Sequence, residues 1–394
     1  MKRCVAILAA LAIAIPVFAQ EEESAGAAKG AQVDTTGKGY TAAFVMDANT
    51  RRVLYAENAD VPLPTASMAK MMTCIIAMER IQSGEIKLDT QVPISARSSK
   101  MGGSQIFAKE GQTFPMQTLL AATMIRSAND AAEAIAEKIA GSPEAFADLM
   151  NDKARQLGLK NTTFVDPHGL PNAQDPKRID MSSAHDLAIM GLELMKYPLM
   201  REYAKTPWMA FTNGTYTSGL TNPNHLINPK SPDYYGDAIG IKTGYSGPAG
   251  YCVTAGAQRG GLELIAVVMG ARSPSRQGSS FQIAARLFNE AFNKWRLMPV
   301  VKKGSTVGQA AVTDGAAKSV TAVAGADLNA LLPRGQEGGV KVSLLPSPVT
   351  APVRAGQQVG VVVVSQGGQQ IGRVPAVAAA SVDKQAWWKK FWPF

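Results

Sequence analysis

Ser67 and Lys70 are the residues whose types and spacing most directly indicate chemistry. They lie in residues 64–78, PTASMAKMMTCIIAM, a run that after Thr65 is apolar on every side at helical spacing and is therefore typical of a buried helix. Residues three apart on a helix share a face, so the amine can reach the hydroxyl. Burial disfavours the ammonium form, which makes a lysine a base that can activate a serine for attack on a carbonyl. Ser67 also falls in the first predicted turn, where free backbone N–H groups favour a developing anion.

The S-x-x-K pattern is weak by itself. A chain of this length contains about one or two matches by chance, and a second match joins Ser381 to Lys384. The match at Ser67 is distinguished by two companions: SAN at residues 127–129, between two predicted helices, and KTG at residues 242–244, at the end of a predicted strand. Three such motifs in this order are typical of serine acyl-transfer enzymes that react with penicillin.

The elements around these motifs predict a single α/β domain. Residues 40–57 contain two strand-like runs joined by a turn, and Thr65 is a plausible N-cap for the helix that carries Lys70. Further helices are predicted on both sides of SAN and at the end of the domain, at residues 115–125, 131–141 and 281–295. Three strands are predicted at residues 238–244, 251–257 and 262–270. A hairpin before the helices and strands after them predict one sheet built from both ends of the domain. Residues 160–237 are rich in Pro, Asn and Gly and show few clear periods.

The first 39 residues differ in composition from the domain that follows them. Residues 1–19 have a basic start, an apolar run and small residues at the end, which predicts a signal peptide rather than the alternative of a buried N-terminal helix. Residues 20–39 are small and polar and predict a flexible lead-in. The chain is therefore expected to be exported and to lie at the periplasmic side of the inner membrane, as a peripheral protein.

A small all-β module is predicted for residues 296–380, where short Val-rich runs alternate with Gly and Pro turns. Residues 381–394, SVDKQAWWKKFWPF, predict an amphipathic helix. On such a helix the aromatic residues share one face and the lysines lie at its sides, which favours a surface position on an anionic membrane. The alternative is a tail that packs on the β-rich module.

Composition excludes several other classes of protein. The chain has 394 residues, of which 46% are hydrophobic and 18% charged, and this predicts two domains. Positive charge is spread along the chain, so nucleic acid is not predicted as a partner. Three histidines and no CxxC pair predict no metal site, and no cofactor is predicted. Cys74 and Cys252, the cysteines beyond the leader, are interpreted as structural thiols.

The sequence resembles the low-molecular-mass penicillin-binding proteins that act as D-alanyl-D-alanine carboxypeptidases, of the peptidase S11 type. The resemblance covers nearly the whole chain and rests on VMDANTRRVLYAENADVPLPTASMAKMMT, SANDAA, NTTFVDPHGL, GIKTGYS and LIAVVMGAR. It implies an α/β serine transpeptidase/β-lactamase-like domain over residues 40–295, followed by a sandwich-like β domain.

The resemblance also implies roles for individual residues. Ser67 would be the acylated nucleophile and Lys70 its general base. The other catalytic groups would be Ser127 and Asn129, which relay protons and hold the substrate amide, and Lys242, which adds positive charge beside the cleft. The substrate-binding groups would be Thr243, Gly244, Tyr245 and Arg276, with Arg272 as the alternative to Arg276 because the spacing from Gly270 is short. The backbone N–H groups of Ser67 and Tyr245 would form the oxyanion hole. His168 is interpreted as a structural turn residue.

The expected function is removal of the terminal D-alanine from peptidoglycan pentapeptides through an acyl-serine, with β-lactams as covalent inhibitors. The first alternative is a class A-like β-lactamase, which would need a deacylating carboxylate of the type Glu-x-x-x-Asn. No glutamate between the second and third motifs has Asn four residues later. The second alternative is a non-catalytic wall-binding protein with a decayed site, and the intact motifs disfavour it.

Overall fold

The computed structural model describes residues 38–171, 175, 177–214, 217–272 and 279–386. The helices in these residues are α1 (Lys70–Gln82), α2 (Met116–Ala121), α3 (Asn129–Ala140), α4 (Pro143–Leu157), α5 (Ala184–Leu194), α6 (Pro198–Lys205) and α7 (Ser280–Lys294). Short helical turns of other pitch lie at Ala66–Ala69, Ser98–Lys100, Ala122–Arg126 and His225–Ile227.

The strands of the α/β domain are β1 (Ala42–Asp47), β2 (Val53–Glu57), β3 (Leu63–Pro64), β4 (Gln91–Pro93), β5 (Thr113–Pro115), β6 (Met181–Ser182), β7 (Trp208–Thr212), β8 (Thr217–Thr221), β9 (Ala238–Ser246), β10 (Gly250–Arg259) and β11 (Leu262–Ala271). Five of them form one antiparallel sheet in the order β2-β1-β11-β10-β9. The sheet therefore combines the early hairpin with the three late strands, and this prediction is confirmed.

Both faces of this sheet are buried, because successive side chains of a strand point to opposite sides. On one face Phe44 and Met46 of β1 join the core that contains α1, and on the other Ala43 and Val45 join the core that contains α7. All six residues of β1 are accordingly buried. The sheet is thus the central layer, and the helix that carries Lys70 lies inside the larger of the two cores.

Residues 141–143 end α3 and begin the next helix. Gly141 adopts a left-handed backbone with φ of +81°, which ends α3 as predicted. Ser142 then accepts a hydrogen bond from the Ala145 N–H, and Pro143 occupies the first position of α4. The end of α3 thus agrees with the sequence-based prediction, whereas α4 is an additional helix that was not predicted.

The irregular region contains more structure than its composition indicates. Residues 160–237 include α5, α6 and the hairpin of β7 and β8. Pro198 begins α6 instead of breaking a helix. In α5 most residues are buried, so its sequence lacks the polar face that makes a helix visible by periodicity.

An all-β domain follows, as predicted. Its strands are β12 (Trp295–Val301), β13 (Thr306–Thr313), β14 (Ser319–Ala324), β15 (Leu328–Pro333), β16 (Val340–Pro346), β17 (Val349–Thr350), β18 (Gln358–Gln366) and β19 (Gln369–Ala378). Six of them form a sheet in the order β16-β18-β19-β14-β13-β17, over a core of valine and alanine. The Arg52 guanidinium connects this domain to the first, because it lies 4.2 Å from the Trp295 ring centroid and donates to the Leu331 carbonyl at 3.3 Å.

The predicted C-terminal helix does not begin at Ser381. Val382 is buried and exchanges two backbone hydrogen bonds of 2.9 Å with Val353, while Gln385 donates to the Asp314 carbonyl at 2.8 Å. This chain segment therefore completes the β domain, since extended pairing buries Val382 in its core. The residues that carry the predicted aromatic face, 387–394, lie outside the described residues, as does the predicted signal peptide. In the described part of the chain, no helix combines the length and apolar character needed to cross a bilayer.

Candidate active site

Ser67 lies in a strained turn at the mouth of a cleft. The turn Ala66–Ala69 precedes α1, which begins only at Lys70. Thr65 occupies the N-cap position of this turn rather than of α1, and its side chain makes no capping hydrogen bond. Its hydroxyl donates to the Ala66 carbonyl at 3.2 Å instead. Ala66 has a φ of +47°, a left-handed backbone that an alanine adopts only at a cost. Such strain immediately before a serine is typical of functional turns.

Lys70 points from the start of α1 directly at this serine. Its Nζ lies 3.0 Å from Ser67 Oγ and donates to the His168 carbonyl at 2.6 Å. The side chain is completely buried. Burial, aided by the charge of Lys242, holds the Lys70 pKa well below its usual value. A lysine that loses its proton readily, at hydrogen-bond distance from a hydroxyl, can act as a general base.

The SAN motif places Ser127 and Asn129 on the same cleft. Ser127 has a left-handed backbone with φ of +62°, so the chain reverses between the turn Ala122–Arg126 and α3. Asn129 donates its side-chain N–H to the Gly102 carbonyl at 2.6 Å, and its Oδ1 is a buried acceptor with no hydrogen-bond partner among the described residues. Neither residue caps α3, whose N-cap is Ala128 without a side-chain bond. An unpaired buried acceptor is costly unless a ligand satisfies it.

The KTG motif lies along β9, at the edge of the main sheet. Lys242 is 2% exposed and donates to Ser127 Oγ at 2.9 Å. Burial lowers the Lys242 pKa to about 7. Gly244 allows β9 to approach the nucleophile turn, because a Cβ there would lie only 2.8 Å from the Thr65 carbonyl oxygen. A side chain at this position would push the strand and the serine apart.

These residues meet in one cleft of about 570 Å³. Its lining includes Ser67, Ser127, Asn129, Thr243, Gly244 and Tyr245. Lys70 and Lys242 are buried and reach the hydroxyls of Ser67 and Ser127 respectively. Three motifs that are far apart in the sequence therefore form one site, with two serine hydroxyls, two amines of lowered pKa and an amide oxygen that can accept a hydrogen bond.

Comparison with known proteins agrees with this geometry. The family model described as D-alanyl-D-alanine carboxypeptidase, Peptidase S11, matches residues 31–273. The chain belongs to the peptidase S11 family. A second model, the C-terminal domain of penicillin-binding protein 5, matches residues 295–384. That match ends within the segment that pairs with the β domain. The chain is accordingly a serine hydrolase of the D-alanyl-D-alanine carboxypeptidase type.

Individual S11 relatives match over most of the chain. D-alanyl-D-alanine carboxypeptidase DacF of Bacillus subtilis is 34% identical over 345 residues, which cover 87% of this chain and 85% of the relative. Penicillin-binding protein 5 of Haemophilus influenzae has a similar structure, with a TM-score of 0.71, 26% identity and coverage of 91% of this chain and 100% of that one. Penicillin-binding protein D2 of Listeria monocytogenes, in its ampicillin-bound form, has a TM-score of 0.56 and 27% identity, and covers 64% of this chain and 98% of that one.

Tyr245 forms an exposed edge of the S11 cleft. It is 61% exposed, and its ring stacks on Tyr251 with 4.4 Å between the centroids. Of the two arginines considered for the carboxylate clamp, Arg276 lies outside the described residues. Arg272 lies against a separate cavity on the other side of Tyr245, of about 400 Å³. The choice between the two arginines therefore stays a prediction.

His168 contributes to the site in a way that its residue type does not predict. The DPHGL segment does form a turn, in which the Asp166 carboxylate accepts hydrogen bonds from the N–H groups of His168 and Gly169, at 2.8 and 2.6 Å. The His168 carbonyl is nevertheless a direct partner of Lys70. A backbone group leaves no signal in side-chain type, so only the neighbouring turn pattern could have indicated it. The interpretation of Cys74 and Cys252 as structural thiols is confirmed, since both are buried and unpaired.

Proposed function

We propose that Ser67 is the nucleophile of a D-Ala-D-Ala carboxypeptidase and that Lys70 is its general base. The observation that carries this proposal is the 3.0 Å contact between Lys70 Nζ and Ser67 Oγ, made by an amine that is completely buried. Ser67 Oγ attacks the carbonyl carbon of the penultimate D-alanine while Lys70 Nζ takes the hydroxyl proton. The N–H groups of Ser67 and Tyr245 stabilise the oxyanion of the tetrahedral intermediate.

Collapse of this intermediate breaks the peptide bond and releases D-alanine. The leaving nitrogen receives a proton from the Ser127 hydroxyl, which is resupplied from Lys242 Nζ at 2.9 Å. Asn129 Oδ1, which has no hydrogen-bond partner in the part of the chain that the structure describes, binds the N–H of the substrate backbone. Thr243 and Arg276, or Arg272 in its place, bind the terminal carboxylate. Exchange with solvent then returns Lys70 to its neutral form and Lys242 to its protonated form. A water molecule attacks the acyl-serine carbonyl and gives a proton to Lys70 Nζ, and Lys70 passes that proton to Ser67 Oγ as the acyl bond breaks and the shortened peptide leaves.

β-Lactams are expected to form long-lived adducts with Ser67. Among the described residues, no Asp or Glu lines the cleft, and Ser67 Oγ has no hydrogen bond to a carboxylate. A β-lactamase needs an efficient base for deacylation, so this arrangement supports a penicillin-binding protein rather than the alternative. The intact hydrogen bonds of Lys70 with Ser67 and of Lys242 with Ser127 likewise do not support a decayed, non-catalytic site.

The time course of labelling by a fluorescent penicillin tests the proposed function. We expect an adduct that persists for many catalytic cycles, together with release of D-alanine from a peptide that ends in D-Ala-D-Ala. Rapid turnover of the label would instead indicate a β-lactamase, and no labelling would indicate a non-catalytic protein. A cross-linked muropeptide, assayed in parallel, measures any endopeptidase activity of the same site.

We also propose that the chain is exported and that residues 387–394 attach it to the periplasmic face of the inner membrane. Three of the five tryptophans of the chain lie in this segment, next to Lys389 and Lys390. Tryptophan favours the headgroup region and lysine favours anionic lipid. The N-terminal signal described above supports export in the same way.

Truncation after Ala386 is expected to abolish membrane binding without loss of activity. This site of truncation keeps Val382 and Gln385, which pair with the β domain, so the fold is preserved. The truncated protein is compared with one that extends to Phe394, and both start at Gln20 so that the apolar leader is absent. The longer chain should sediment with vesicles that contain anionic lipid, and the truncated chain should stay in the supernatant with unchanged D-alanine release. Equal sedimentation of the two chains would contradict the proposed attachment.

A further inference from the structure

Glu133 is a buried carboxyl group that the proposed mechanism does not use. It lies on α3 and has no solvent exposure. Its Oε1 lies 2.6 Å from Arg97 Nε, and its Oε2 lies 3.5 Å from His168 Nε2. A glutamate is rarely buried so completely without a partner that requires it. Neither oxygen makes a hydrogen bond to the described residues, so Glu133 forms an ion pair with Arg97 and a close contact with the segment that holds Lys70.

His168 connects Glu133 to the general base. The His168 ring lies between two carboxyl groups, with Nδ1 at 2.8 Å from Asp166 Oδ1 and Nε2 facing Glu133. The carbonyl of the same residue accepts the 2.6 Å hydrogen bond from Lys70 Nζ. The ring therefore lies between the Asp166 contact at Nδ1 and the close approach of Glu133 at Nε2, which restricts the peptide group that holds Lys70.

The segment around His168 is packed against the nucleophile turn. A Cβ at Gly169 would lie 1.9 Å from the Ala66 carbonyl oxygen, so the two backbones are in direct contact. Thr73 of α1 donates to the Pro167 carbonyl at 2.6 Å. Because both neighbours contact this segment closely, a displacement of His168 would be transmitted to Ser67 and to Lys70.

We infer that Glu133 is a positioning residue for acylation: through the His168 ring it holds the His168 carbonyl where it orients Lys70 Nζ towards Ser67. The inference rests on the proposed function, because it assigns Glu133 an effect on the same lysine. Arg97 holds the carboxyl group from the other side. The exposed Glu144 carboxylate is a second partner of Arg97, at 2.8 Å from Nη1.

The protonation states of Asp166, His168 and Glu133 make the contact between Glu133 and His168 depend on pH. Burial opposes ionisation of Asp166, but hydrogen bonds from His168 hold the Asp166 pKa below its usual value. An ionised Asp166 at 2.8 Å requires a proton on Nδ1, whereas the Leu170 N–H is farther from this nitrogen, at 3.2 Å. Burial lowers the His168 pKa, so the ring is neutral and Nε2 is an acceptor. Protonated Glu133 can then donate to Nε2, and ionised Glu133 cannot.

Burial raises the Glu133 pKa to about 7, partly offset by the positive charge of Arg97. The negative charges of Glu137 on the same helix, Asp166 on the loop and Glu144 on α4 raise it further. The raised pKa means that the donating form is present below about pH 7 and is lost above it. The contact with His168 should therefore weaken as the pH rises.

Acylation by benzylpenicillin, followed as a second-order rate constant at pH 6 and pH 8.5, tests this inference. We expect Glu133→Ala to reduce the rate constant by about tenfold, by analogy with residues that orient metal ligands, whose loss costs at least about that much activity. Glu133→Gln keeps the volume and an N–H donor, so at pH 6 it should stay within about threefold of the unchanged protein. At pH 8.5 its rate relative to the unchanged protein should increase, because only the glutamate loses its donating proton. Lys70 and Lys242 are present in both proteins, so the effect of their titration on the rate constant cancels in this ratio.

Glu263→Gln is the matched control, since it removes a carboxylate paired with an arginine, Arg201 at 2.6 Å, away from His168 and Glu133, and its rate ratio should be constant with pH. Melting temperatures verify that each variant is folded, and the amide variant keeps the test decisive if Glu133→Ala unfolds. A ratio for Glu133→Gln that does not change with pH, or a normal rate for a folded Glu133→Ala, would overturn the inference. If the unchanged protein is not labelled at all, the proposed function itself fails.

Discussion

Ser67→Ala is expected to abolish covalent labelling by benzylpenicillin and release of D-alanine, while the protein stays folded. The serine hydroxyl is the atom that forms the acyl bond, so no partial activity through Ser67 can remain. The substitution removes a single oxygen from a half-buried side chain whose hydrogen-bond partner, Lys70, keeps the His168 carbonyl. The measurement is mass spectrometry of the digested adduct, which should place the added mass on the peptide that contains Ser67.

Ser381→Ala provides the matched control, because Ser381 and Lys384 repeat the S-x-x-K spacing. The repeat has no helix on which the two side chains could share a face. Ser381 Oγ accepts a hydrogen bond from the Ala355 N–H at 3.0 Å, and the backbone of Lys384 forms an isolated antiparallel β-bridge with Gly315. Labelling should therefore be unchanged in Ser381→Ala. Mass added to any peptide other than the one with Ser67 would refute the proposed nucleophile.

The site could be predicted from the sequence to the extent that local spacing determines it. Ser67 and Lys70 are three residues apart, so any helical turn brings them together, and the structure does so at 3.0 Å although the turn is tighter than an α-helix. Lys242 and Ser127 are 115 residues apart, and spacing alone could not join them. Their meeting followed only from the resemblance to a family in which the three motifs occur together.

Other features depended on packing that spacing does not encode. The burial of Glu133 is one example, since a glutamate in the helix that follows SAN has the ordinary appearance of a solvated residue. The segment from Ser381 is another: its aromatic and basic composition predicted a helix, and pairing with Val353 and Asp314 drew its first residues into the β domain. Tertiary contacts outweigh local preference where they bury an apolar side chain such as Val382.

Replacement of the general base is expected to have the second large effect. Lys70→Arg keeps a positive charge but cannot give up its proton, so it cannot accept the Ser67 proton. The acylation rate constant should fall by about 10² to 10⁴, the usual contribution of general acid–base catalysis. Lys70→Met, which is neutral and of similar length, should show a loss in the same range. The second variant is needed because a guanidinium is larger than the completely buried ammonium it replaces.

The pH dependence of acylation distinguishes the role of Lys70 as a base from a purely structural one. Burial and the charge of Lys242 hold the Lys70 pKa well below its usual value, so the neutral amine becomes populated at lower pH than in an exposed lysine. The rate for the unchanged protein should therefore rise with pH until Lys70 is neutral, and the residual rates of Lys70→Arg and Lys70→Met should lack this rise. Lys153→Arg, at a partly buried lysine paired with Glu79, is the control and should acylate normally. Normal acylation by a folded Lys70→Arg would show that another group accepts the proton, and Lys242, whose Nζ contacts Ser127, would then be the first to replace.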